Sequence, residues 1–112
     1  MGIENKVLGS LGENFAEEYL IQDEYEIIAR NYRCKSGEID IIATKNRTLY
    51  FVEVKTRRSK TFGSPAEAVT QKKQLHMRRA AASFLQEEQF RGYSVEFKVI
   101  EVFVNVIDDV II

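Results

Sequence analysis

A chain of 112 residues that is 45% hydrophobic and 29% charged suits one soluble domain with a single core; it is too short for two cores and too apolar for a disordered segment. A single cysteine, Cys34, excludes an intrachain disulfide, and the absence of any apolar run longer than a strand excludes a membrane span. The first residues, Met1-Gly-Ile-Glu-Asn-Lys, carry no secretory signal pattern, so a reducing cytoplasm is the expected location.

The formal net charge of -1 hides a segregated distribution. Residues 1–29 hold seven acids and one base, residues 30–79 thirteen bases and four acids, and residues 80–112 six acids and two bases. Such segregation can present a basic face to a nucleic acid, unless the blocks interleave in space and cancel.

In chain order, Leu8, Leu11, Phe15, Ala16, Tyr19 and Leu20 recur at helical spacing among acids, which predicts an amphipathic helix over 5–22. Strands are expected at 25–33, 38–44 and 49–57. Lys35-Ser-Gly and Lys45-Asn-Arg-Thr serve as tight turns, giving an antiparallel meander. A basic loop follows at 58–63. Ser64-Pro-Ala-Glu67 then reads as a helix start, with serine at the N-cap and proline at the first helical position. This helix should run to about residue 89 with an irregularity near Thr70. Beyond Gly92, Val95, Phe97 and Val99 alternate with polar residues, and the phase slips at Ile100 before Val102, Val104 and Val106, which suggests a bulge or two short strands. The order α-β-β-β-α-β defines an α/β domain with a mixed sheet.

Strand parity locates the chemistry. On the third strand Leu49, Phe51, Glu53, Lys55 and Arg57 point one way, and Tyr50, Val52 and Val54 the other. A strand apolar on both faces is central and covered, so Glu53 and Lys55 need partners. The 45–48 turn lays the preceding strand alongside, and Asp40 can converge there with Glu53 and Lys55. Two carboxylates in such a place form a hard-oxygen site suited to Mg²⁺ or Mn²⁺, which would polarise a phosphoryl oxygen and acidify a bound water. Lys55 would orient that water or stabilise charge on the pentavalent phosphorus. A Glu53–Lys55 ion pair at a strand end, with Asp40 capping a turn, fits the residue types about equally well.

Taken together, Gly37-Glu-Ile-Asp40, Phe51-Val-Glu-Val-Lys-Thr-Arg57 and Phe62-Gly-Ser-Pro65 resemble the YraN-type uncharacterised family. More broadly they resemble the PD-(D/E)xK restriction-endonuclease-like superfamily, archaeal Holliday-junction resolvases especially. The resemblance runs from about Leu8 to about Val106. It implies one restriction-endonuclease-like domain over 1–112, a three-layer α/β/α core with its metal site at the splayed end of the sheet. The implied function is a Mg²⁺- or Mn²⁺-dependent endonuclease acting on structured or branched DNA; a non-catalytic nucleic-acid-binding module of the same fold is the alternative. It also implies that Glu13 completes the metal site with Asp40 and Glu53, with Gly12 letting the helix approach the sheet, although Ser10-Leu-Gly-Glu13 also fits a capping box. Ile39 stands where the superfamily name has proline, a residue with no catalytic atom.

The remaining basic residues suggest a path for nucleic acid, DNA in preference to RNA. Lys72, His76, Arg79 and Ser83 form a polar stripe on the second helix, to which Arg57, Arg58 and Lys60 would add phosphate contacts. Gln71 and Lys72 are placed to touch the scissile phosphate. The loop 58–64 is expected to order over nucleic acid. Glu38 reads as a surface acid, His76 as a surface residue, and Cys34 as no zinc ligand. A homodimer, by analogy with junction resolvases, and a larger protein partner that supplies substrate choice are further expectations.

Overall fold

The computed structural model of the protein describes residues 5–58 and 69–105. Helix α1 spans Asn5–Gln22, followed by β1 (Glu26–Cys34), β2 (Gly37–Lys45) and β3 (Thr48–Arg58). Helix α2 (Gln71–Phe84), a 3-10 turn (Glu88–Phe90) and β4 (Ser94–Val104) complete the order. The sheet runs β1-β2-β3-β4, with an antiparallel meander through β3 and a parallel β3–β4 pair. Among the described residues no helix is long and apolar enough to cross a membrane.

Two cores flank the sheet. Ile42, Leu49 and Phe51 pack with Met77, Ala80, Ala81 and Phe84 of α2. Ile41, Ala43 and Val52 pack with Ala16 and Leu20 of α1. β3 is therefore central and covered on both faces, as its parity requires, and the architecture is a three-layer α/β/α domain.

Local chemistry explains the connections. Asn46 and Arg47 both take positive φ, 52° and 58°, which makes the two-residue β2–β3 loop a turn matched to strand twist. At the end of α1, Glu24 sits at φ 66°, Glu24 N–H donates to Ile21 O, and Tyr25 N–H donates to Leu20 O. That is a Schellman closure with a non-glycine residue in the left-handed position, and Leu20 and Tyr25 supply its apolar contact.

Two expectations, the end of α2 and the break in β4, are corrected, and the start of the second helix is described only from Thr70 onward. Helix α2 starts at Gln71, where the extended Thr70 caps it by accepting from Lys73 N–H at 3.1 Å; the Ser64–Glu67 start lies outside the described residues. The helix ends at Phe84 rather than near 89, because Phe90 must enter the same core. Six residues on, a continuous helix would turn Phe90 away, whereas the 3-10 turn lets its ring stack on Phe84 at 5.5 Å. β4 has neither bulge nor break: its pairing with β3 is regular from Ser94 to Val104. The phase slip instead marks a change of covered face. Phe97 stacks on Phe51 towards α2, whereas Ile100, Val102 and Val104 pack towards α1.

The first helix buries Leu8, Gly12, Ala16 and Leu20, not the broader apolar set; Leu11, Phe15 and Tyr19 form a second, exposed line. Gly12 is needed for contact with the sheet. A Cβ there would lie 2.7 Å from the Cβ of Thr56, closer still to its hydroxyl, and Thr56 is β-branched and stiff. Gly12→Ala is expected to cost about 1–3 kcal/mol in urea unfolding, the usual range for overpacking. Combining it with Thr56→Ala should recover part of that loss.

Candidate functional site

The sheet splays where the β2–β3 ladder stops. Its last pair is Ile41↔Val52, after which β2 continues only along β1, opposite Tyr32 and Arg33, while β3 runs on beside β4. Ile39 and Ile41 join opposite cores although they are two residues apart, so strand alternation breaks at Asp40. The Asp40 carboxylate fills the resulting gap and accepts a hydrogen bond from Val54 N–H at 2.8 Å. This side chain substitutes for the ladder bond that β2 no longer makes.

Glu53 extends from β3 on the α2 face with its side chain only 13% exposed. Burial pushes the Asp40 carboxyl up; the Val54 N–H opposes this, and the neighbouring Glu53 raises it again by charge and direct side-chain interaction. The outcome is a carboxyl pushed up to about 6, as expected of two carboxyl groups that resist ionising together. Lys73 of α2 faces the pair, with its ammonium 3.4 Å from Glu53 Oε1, and its charge favours ionised Asp40. That oxygen is nevertheless buried without a hydrogen bond: the ammonium is within ion-pair range but not in hydrogen-bond geometry.

The other expected residues divide into two groups. Lys55 lies half-buried two positions beyond Glu53 on the same face of β3, and its register partner on β4 is Glu101. Arg57 is held by Glu101 at 2.7 Å, and Arg58 is exposed at the end of β3. Glu13 is engaged elsewhere: with Glu17 it pairs to Arg30 of β1, at 3.3 Å and 3.1 Å. Among the described residues no group of three or more acidic, histidine or cysteine side chains is arranged to hold a metal ion. Glu38 pairs with Arg33 at 3.4 Å, as befits a surface acid.

The helix stripe is not solvated along its whole length. Gln71, Lys72 and Arg79 are exposed, whereas Ser83 accepts from the Tyr32 hydroxyl at 3.0 Å. His76 and Lys73 line a groove with Arg33, Cys34, Gly37 and Glu38 beside the carboxylates. Lys60 lies outside the described residues, as does most of the loop 58–64. Lys73 is the residue that the sequence reading missed. Its signal was present, because Lys73, Met77, Ala81 and Phe84 follow the inward line of α2 at i, i+4, i+8 and i+11. A lysine on that line must either reach solvent or find an acid, and Glu53 is the acid.

Fold and site together define a three-layer α/β protein that carries a partly buried carboxylate pair and an inward lysine at the splayed end of its sheet. Residues 12–102 match the model of the uncharacterised protein family UPF0102. A UPF0102 protein of Caldicellulosiruptor saccharolyticus is 49% identical over 104 residues, 93% of this chain and 88% of that protein. One of Clostridium kluyveri is 42% identical over 106 residues, 95% and 87% of the two chains. The protein belongs to the UPF0102 family.

Proposed function

We propose that the protein is a metal-dependent nuclease that hydrolyses phosphodiester bonds, an endonuclease on structured or branched DNA. The observation that carries this reading is the partly buried Asp40–Glu53 pair where the sheet splays, with the buried Glu53 Oε1 lacking a hydrogen bond. Leaving buried carboxylate oxygens unsatisfied is costly, and a hard divalent cation is the ligand that such a donor set fits. Asp40 and Glu53 would hold Mg²⁺ or Mn²⁺. When bound, the ion supplies a Lewis acid for the phosphoryl oxygen and lowers the pKa of water. Glu13 is assigned to complete the site, which requires its release from Arg30.

The chain's own residues contribute the rest. Lys55 would stabilise charge that develops on the phosphorus. Val54 N–H fixes one Asp40 oxygen and so holds the carboxylate against Glu53. Arg58, Lys72 and Arg79 lie at exposed positions suited to phosphate contacts, Gln71 opens the helix beside Lys72, and Lys60 is assigned to the same role.

The Glu53–Lys73 ion pair favours a second reading, a non-catalytic nucleic-acid-binding module, because an ammonium can neutralise the carboxylates without a metal. Incubation with supercoiled, single-stranded, flap and four-way-junction DNA separates the two. The nuclease reading expects cleavage that requires Mg²⁺ or Mn²⁺ and is abolished by chelation. Binding that weakens steeply with salt, without cleavage of any substrate, would establish the binding module instead.

A further inference from the structure

The two edges of the sheet are built differently. β1 carries a register shift between Ile27 and Ala29, a positive φ at Asn31, and charged residues Glu26, Arg30 and Arg33 along its length. These features discourage another strand from pairing there. β4 carries charges too, at Glu96, Lys98 and Glu101, but it has neither a register shift nor a positive φ: it is 11 residues long, regular, free of proline, and among the described residues pairs only with β3.

Both faces beside this open edge are apolar. Towards α2, Phe97 is 45% and Val99 48% exposed; Phe103 is 54% exposed. Towards α1, Leu11, Phe15 and Tyr19 line a cavity of about 660 Å³ with the second half of β4, and Phe15 is 63% exposed. Exposed apolar surface that is continuous across a strand edge marks an interaction site. The unpaired backbone groups further require that the occupant bring a strand of its own.

We infer that β4 is the seam of a two-fold homodimer, in which the β4 edges of two copies pair antiparallel and extend the sheet across both. The strand is complementary to itself. Opposed residues in antiparallel pairs share a face, so a two-fold axis can lie only at a residue, and axes at Lys98 or Glu101 would oppose like charges. An axis at Phe97 sets Glu96 against the partner's Lys98, twice. An axis at Ile100 sets Phe97 against the partner's Phe103 and Lys98 against the partner's Val102. It also brings the Leu11–Phe15–Tyr19 lines of the two copies together over the seam. An axis at Phe97 also opposes the two Phe97 rings but leaves Phe103 beyond the paired segment, whereas the axis at Ile100 covers both aromatics; apolar burial outweighs exposed ion pairs, so the axis lies at Ile100. The inference is independent of the nuclease reading.

Sedimentation equilibrium of the full chain tests it. The wild-type protein should be dimeric at micromolar concentration. Phe15→Glu and Phe103→Asp, both at exposed positions, should be monomeric with unchanged circular dichroism. Leu75→Glu, which alters an exposed apolar residue on the outer side of α2, should remain dimeric. Amide exchange along β4 should slow as concentration rises. A wild-type monomer up to millimolar concentration would overturn the inference, as would dimers that survive both variants or dissociate in Leu75→Glu.

Discussion

Asp40→Asn is expected to lower metal-dependent cleavage by a factor on the order of 10³, the scale at which losing a group that organises transition-state charge is felt. Asparagine keeps the shape and one acceptor oxygen, so the bond from Val54 N–H can persist and the fold should survive. What disappears is one of two negative charges. The same substitution should raise the stability of the metal-free protein near neutral pH, with a sign fixed by linkage. Folding raises the Asp40 pKa from its ordinary 3.8 to about 6, so between those values the folded chain binds more protons than the unfolded one. Stability from this group is therefore complete below about 3.8 and is lost as pH rises through about 6. Thermal melts of the wild type should show that decline, and Mn²⁺ should reverse it above pH 6 by binding the ionised pair. In Asp40→Asn both the decline and the Mn²⁺ response should flatten. A variant with wild-type cleavage would remove Asp40 from the site.

Lys55→Ala should reduce the cleavage rate by about 10²–10³-fold while leaving the Mn²⁺ midpoint of the melting curve near its wild-type value. The effect divides this way because Lys55 is assigned to charge that develops during reaction, not to the resting carboxylates. Lys73→Ala should behave differently. Its ammonium already neutralises Glu53, so removing it should tighten Mn²⁺ binding and raise the Asp40 pKa further, visible as a shift of the pH midpoint to higher values. If Lys73→Ala lost cleavage and Lys55→Ala kept it, the catalytic lysine would come from the helix rather than the strand.

The roles of Lys55 and Lys73 illustrate what can be read from the chain alone. Parity on a strand is a strict two-residue rule, so the shared face of Glu53, Lys55 and Phe51, and the covered position of β3, were legible in advance. The Asn46-Arg47 turn and the reach of α1 from Asn5 to Gln22 were legible for the same reason: each follows from neighbours in sequence. The motif resemblance added the family and the three-layer order.

Other features depend on residues far apart in the chain. Thr70 caps α2 and Phe90 ends the helical stretch because of where the core lies, which local propensity does not record. The pairing of Glu13 with Arg30 and of Glu53 with Lys73 required two elements to dock before either acid had its neighbour. Asp40 makes the same point most clearly. That it is acidic and lies one strand from Glu53 is written in the sequence. That it bridges a splayed ladder and is pushed up to about 6 was decided only by burial and by the approach of a second carboxylate.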